Sequence, residues 1–99
     1  MHTLRIEHPI TDYTTWKRAF DGFAAMRTAS GVRSHVVRRP VDDPNYVVAE
    51  LDFDSRLEAQ AFDDLLRTRV WSTPVNSPAL AGEPITLILV TEEGPVSLS

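Results

Sequence analysis

No cysteine occurs anywhere in the 99-residue chain. Disulfides, thiolate nucleophiles and cysteine-bound metals are therefore excluded, and cysteine usage says nothing about redox compartment. Long apolar runs are missing too, since no stretch approaches the roughly 20 residues that cross a bilayer as a helix. No membrane partner is expected. The first residues carry no basic segment followed by an apolar one, so no secretory leader is expected and the cytoplasm is the default location. Positive charge is scarce: 10 Lys and Arg stand against 14 Asp and Glu, a formal net charge of −4. Binders of nucleic acid usually present a basic face, so no nucleic-acid partner is expected. The 3 histidines are scattered, with no i, i+4 pair, and no metal site is expected. A phosphate-binding loop and a nucleophile triad are equally illegible. Nothing in the motifs calls for a cofactor.

What is present is an ordinary globular composition, 42% hydrophobic and 24% charged. A chain this short makes one domain with a small core, and self-association would add burial.

Residues 2–8 alternate, with Leu4 and Ile6 on one face beside His2 and His8, and Thr3, Arg5 and Glu7 on the other. Period two predicts a strand, which Pro9 ends because it has no N–H to donate. Thr11 or Asp12 then caps a helix carrying Tyr13, Trp16, Phe20, Phe23, Ala24 and Arg27 at helical spacing, the first five forming a broad apolar stripe. Gly31 sits where a helix C-terminus favours glycine.

Residues 32–39 read as a second strand and 46–53 as a third, with Val47, Ala49, Leu51 and Phe53 on one face. The turn formers of residues 40–45 join them into a hairpin. Ser55 and Glu58 form a capping-box pattern ahead of a second helix whose stripe is Ala59, Phe62, Leu65, Leu66 and Val70. Pro74 and Pro78 forbid a long helix over 72–83. Residues 84–91 form a last strand, apolar on both faces: Ile85, Leu87 and Leu89 on one, Ile88 and Val90 on the other. The domain is expected to span 1–92, with 93–99 a mobile tail.

This order, β-α-β-β-α-β, predicts an α+β, ferredoxin-like fold: a four-stranded antiparallel sheet in order 4-1-3-2, with two helices on one face. Leu4, Ile6, Trp16, Phe20, Phe23, Leu51, Phe53, Phe62, Leu65, Leu66 and Leu87 are the expected core. On the other face Arg5 is expected to meet Glu50 or Asp52 across the ladder. Such a face either stands in water or is covered by a second copy, and the two-faced last strand favours the second copy.

The segment His8-Pro-Ile-Thr-Asp-Tyr-Thr-Thr-Trp-Lys-Arg-Ala-Phe-Asp21 resembles the dimeric α+β barrel superfamily that includes the antibiotic biosynthesis monooxygenases. Asp43-Pro-Asn45, Phe53-Asp-Ser55 and Ala81-Gly-Glu-Pro84 extend the resemblance over most of the chain. It implies a homodimer through the sheet faces and a pocket between sheet and helices. It also implies cofactor-independent oxidation of polycyclic aromatic substrates. The superfamily's haem-degrading branch uses a histidine late in the second helix, and residues 55–71 contain none.

Strand order alone gathers His8, Tyr13, Tyr46 and Trp71 at the end of the molecule where the first strand finishes, with Trp16 one turn deeper. His8 is the candidate catalytic base, its pKa near 6.5 suiting proton transfer; a hydrogen bond at a strand end is the competing role. Tyr13, Trp16, Tyr46 and Trp71 are candidate substrate-binding walls, and for Trp16 a core role competes. His35 is expected on the sheet's outer face. Two functions follow: a cofactor-independent monooxygenase-like enzyme on aromatic or polyketide-like substrates, or a non-catalytic small-molecule binder or dimeric scaffold.

Overall fold

The computed structural model describes residues 1–98. Strand β1 spans His2–Pro9, and its register with β3 (Tyr46–Phe53) pairs Leu4 with Leu51, Ile6 with Ala49 and His8 with Val47. β2 (Ser34–Arg38) pairs β3 on one side, and β4 (Ile85–Val90) pairs β1 on the other. The order is β2-β3-β1-β4 with every pairing antiparallel, the ferredoxin-like arrangement expected from the sequence. The alternation sorts side chains strictly: Leu4, Ile6, His8, Val47, Ala49, Leu51 and Phe53 are buried toward the helices, and their neighbours are half-exposed on the opposite face.

The first helical segment is two helices, α1 (Tyr13–Gly22) and α2 (Ala24–Ala29). Asp12 caps α1, its carboxylate accepting the Thr15 N–H at 2.9 Å. At the break, Gly22 weakens the helix, and the Phe20 carbonyl accepts from the Phe23 N–H and from Arg27 Nη1. α2 ends in a Schellman motif: Val32 N–H donates to the Arg27 carbonyl at 3.1 Å and Gly31 N–H to Thr28 at 3.2 Å. Gly31 has φ +93°, which a side chain would strain.

α3 (Arg56–Leu65) begins at Ser55, whose hydroxyl accepts the Glu58 N–H at 3.2 Å and donates to the Glu58 carboxylate at 3.0 Å. It continues into a π-helical segment, Leu66–Val70, in which the Trp71 N–H donates to the Leu66 carbonyl five residues back at 2.8 Å. Residues 93–98 carry no helix or strand and are exposed; Ser99, the last residue of the expected tail, lies outside the described residues.

The core is Leu4, Ile6, Leu51, Phe53, Ala59, Phe62, Leu66 and Val70. Several expectations change. Leu87 is 56% exposed, because β4 turns Thr86 and Ile88 inward and Leu87 pairs with Arg5 on the outer face. Trp16, Phe20, Phe23 and Leu65 are only partly buried. For the α1 aromatics the reason is that the helix stands off the sheet and its stripe borders a cavity. β2 has the opposite phase from the one expected: His35 pairs with Leu51 and lies 5.1 Å from the Phe20 ring on the helix side, while Val36 faces out.

The outer face is a satisfied polar network. Arg5 meets Glu7 at 3.2 Å and Glu50 at 3.7 Å, and Arg38 meets Glu50 at 3.0 Å. Asp52 accepts from Thr3 and Ser34. Beside this network β4 exposes Ile85, Leu87 and Leu89.

Phe62, fully packed, and Phe20, at a cavity wall, separate the two environments. Phe62→Ala is expected to cost about 3–5 kcal/mol, and Phe20→Ala clearly less, measured by urea unfolding with unchanged m-value.

Candidate functional site

A cavity of about 80 Å³ lies between the sheet and α1, α2 and the π-helical segment. Its floor is Ile6, His8, Val47, Ala49 and Leu51 of β1 and β3. Trp16, Phe20 and Phe23 come from the α1 side, and Leu66, Val70 and Trp71 from the π-helical side. Residues 76–80 form its roof. That roof is tied to the end of β1: Thr11 N–H donates to the Ala79 carbonyl at 2.9 Å, and Ala81 N–H to Pro9 at 3.2 Å. Gly82 permits the approach, since a Cβ there would lie 2.6 Å from Pro9 Cγ.

His8 is 3% exposed. Its Nδ1 lies 2.9 Å from the Pro9 carbonyl oxygen. A carbonyl only accepts, so this bond assigns the proton to Nδ1 and leaves Nε2 its lone pair. Burial pushes the His8 pKa below its usual value, and the Pro9 hydrogen bond offsets part of that. The imidazole is neutral at pH 7. Trp16 and Trp71 flank it edge-on, their ring centroids 6.5 Å and 6.4 Å away. Trp16 stacks in turn on Phe20 at 4.9 Å.

His8, Trp16 and Trp71 thus come together at the cavity. Tyr13 stands behind Trp16, 5.9 Å from it, with the Arg39 guanidinium 4.0 Å above its ring, and does not line the cavity. Tyr46 requires correction as a wall residue. It lies at the expected end of the molecule but on the other face of the sheet, where its hydroxyl donates to Glu7 at 2.9 Å. That bond to a carboxylate raises the phenol's pKa and keeps it protonated. Val47, the inward residue of that strand end, lines the cavity instead, as part of its floor.

One cavity residue reads from the sequence only as a member of the helical stripe. Arg27 is 7% exposed, lines the cavity, and holds its guanidinium carbon 3.7 Å from the Phe20 ring centroid. An arginine in phase with four aromatics is the available signal. The π-helical segment has none. Among the described residues no group of three or more His, Asp or Glu is placed to hold a metal ion. None of the helices there is long and apolar enough to cross a membrane.

No protein-family model matches the chain, and no curated protein matches it in sequence. Solved structures do match. SnoaB, a cofactor-independent oxygenase from Streptomyces nogalater, superposes with a TM-score of 0.68 at 13% identity, over 94% of each chain. A monooxygenase from the gene ActVA-Orf6 of Streptomyces coelicolor, in complex with nanaomycin D, gives 0.66 at 15% identity, over 99% of this chain and 92% of that one. A Nitrosomonas europaea protein of unknown function gives 0.68 at 10% identity, over 99% and 95%. The chain has the ferredoxin-like α+β fold of the antibiotic biosynthesis monooxygenase structures, as its sequence resemblance implied.

Because the folded state holds His8 neutral while the unfolded chain protonates near pH 6.5, unfolding takes up a proton as the pH falls. The stability due to neutral His8 is full above about pH 6.5 and is lost as pH falls toward the lower folded pKa. His8→Gln is expected to flatten the rise in stability between about pH 5 and 7. NMR titration of the imidazole is expected to give a midpoint below 6.5.

Proposed function

We propose that this chain is a homodimeric small-molecule pocket protein that acts as a cofactor-independent monooxygenase on aromatic or polyketide-like substrates. The observation that carries the reading is His8: a buried, neutral imidazole with a free Nε2 lone pair, facing an aromatic-walled cavity. Nε2 takes the proton from a substrate phenol or enol. The resulting anion gives its electrons to dioxygen, and one oxygen bonds to a ring carbon. The peroxide takes the proton back from His8. Loss of water then breaks the O–O bond to leave a quinone, so the substrate supplies all four electrons. Trp16 and Trp71 hold the ring system, and the apolar lining keeps water from the anion.

Volume limits the substrate. About 80 Å³ is below the roughly 300–1,000 Å³ of sites for drug-sized ligands, so a single ring fits as the chain stands. A polycyclic substrate requires the 76–80 roof to lift from Pro9 and Thr11. The solved monooxygenase holding nanaomycin D supports a pocket in this fold, while the neighbour of unknown function keeps fold separate from activity.

The second copy covers the outer face. Ile85, Leu87, Leu89 and Val36 are exposed there beside a charge network already paired within the sheet, so docking buries apolar surface without stranding a charge.

Oxygen uptake with a panel of polycyclic phenols, without added flavin, haem or metal, tests the catalytic reading. Uptake is expected from the wild type, with a loss of about 10²–10⁴-fold in His8→Ala. Binding without uptake would make the chain a non-catalytic binder instead. Light scattering is expected to give twice the 11.1 kDa chain mass, and Leu87→Asp to return the particle to a monomer; a wild-type monomer at high concentration would overturn the dimer.

A further inference from the structure

Arg27 is the only permanently charged side chain lining the cavity among the described residues. Its surroundings account for little of its chemistry. Nη1 donates to the Phe20 carbonyl, which also accepts the Phe23 N–H at the break between α1 and α2. The guanidinium carbon sits over the Phe20 ring. A guanidinium carries five N–H donors in a planar fork, and the Arg27 side chain makes no other hydrogen bond among the described residues. No carboxylate there comes within 4.0 Å of it; the ion pairs of the chain involve other arginines and Lys17. Asp21 is the acid whose charge reaches it, and Asp21 is itself engaged by Lys17 at 2.5 Å.

A buried cation is normally paired, because desolvation without a counter-charge is costly. The single cap on Phe20 does not require a guanidinium, since a lysine or a glutamine donor would serve it. The fork geometry suits a carboxylate, which takes two parallel N–H bonds.

We propose that the cavity binds an aromatic acid, with the ligand's carboxylate on the Arg27 guanidinium and its ring along Phe20 and Trp16 toward His8. The proposal rests on the pocket reading above and adds the charge of the ligand to it. Arg27 supplies the attraction and fixes the acid end. The aromatic series Phe20, Trp16, His8 and Trp71 carries the ring away from that end, so that the far edge of the ligand meets the imidazole. The acid group is a binding handle and takes no part in proton transfer. Neutral analogues of the same shape leave the guanidinium unpaired in an apolar wall and bind less well.

Isothermal titration calorimetry of the full chain with benzoate, salicylate and 4-hydroxybenzoate, single-ring acids that suit the cavity volume, each against its own primary amide, tests this. The wild type is expected to bind the acids about tenfold to a hundredfold tighter than the amides, the range for a hydrogen-bonded charge. Arg27→Met is expected to erase that preference while keeping amide affinity. If Arg27→Met does not fold, Arg27→Lys, which keeps the charge and loses the fork, is expected to reduce the preference about tenfold. Equal binding of acids and amides by the wild type would overturn the proposal and leave the pocket standing. An acid preference that survives undiminished in the Arg27 variant would overturn it too. If no acid or amide binds at all, the pocket reading falls and the proposal falls with it.

Discussion

The antiparallel pairing of β1 with β3 is the constraint on which the molecule depends. Once Leu4 faces Leu51 and His8 faces Val47, the pleat gives each strand one greasy side and one polar side. The helices must then cover the greasy side, and His8 must be buried with it. The opposite side keeps Arg5, Glu7, Glu50 and Asp52, which find each other or nearby hydroxyls. A shift of one residue would bury the charges and expose Leu4 and Ile6. The same alternation sends Tyr46 and Val47 to opposite faces though they are adjacent in the chain.

The helical layer is less regular than the sheet, and the irregularities make the cavity. α1 breaks at Gly22–Phe23, and the helix after Leu65 opens to π geometry. Both sites lie along the cavity wall. A straight amphipathic helix would have packed Trp16, Phe20 and Phe23 onto the sheet. Instead their stripe stands away from Leu51 and Ala49, with Arg27 held at the break. π segments commonly mark functional sites, and this one delivers Trp71 to the edge of the His8 ring.

Strong periodicity is legible in the sequence; phase and irregularity are less so. Strand β3 matches its sequence reading residue for residue, and β1 matches it in phase but runs one residue further, to Pro9 opposite Tyr46, because long alternation has one solution. Asp12, Ser55 and Gly31 announce helix ends through side-chain chemistry that acts within a few residues. β2 is five residues long with Val36 and Val37 adjacent, so hydrophobicity does not say which faces inward; the ladder to β3 decides. β4 is apolar almost throughout, and its two faces look alike until Thr86 meets Asp63 and Arg67. For the site, strand order correctly brings His8, Trp16 and Trp71 to one end. Position along the strand places Tyr46 at that end too, when its face is what matters. For Arg27 the sequence offers its phase with the aromatic stripe and no more, because burial of a cation depends on the cavity, a tertiary object.

The π-helical segment is also a phase device. One extra residue per turn advances every later side chain by about 100° around the axis while leaving the preceding helix, and its packing on Phe53, untouched. The residues that close this cavity are therefore set by chain length at one point as much as by side-chain identity. Related chains could exchange Trp71 for a neighbour at the cavity wall through a single-residue insertion or deletion, with no substitution in the core. In such a fold the ligand repertoire can drift while the sheet stays still.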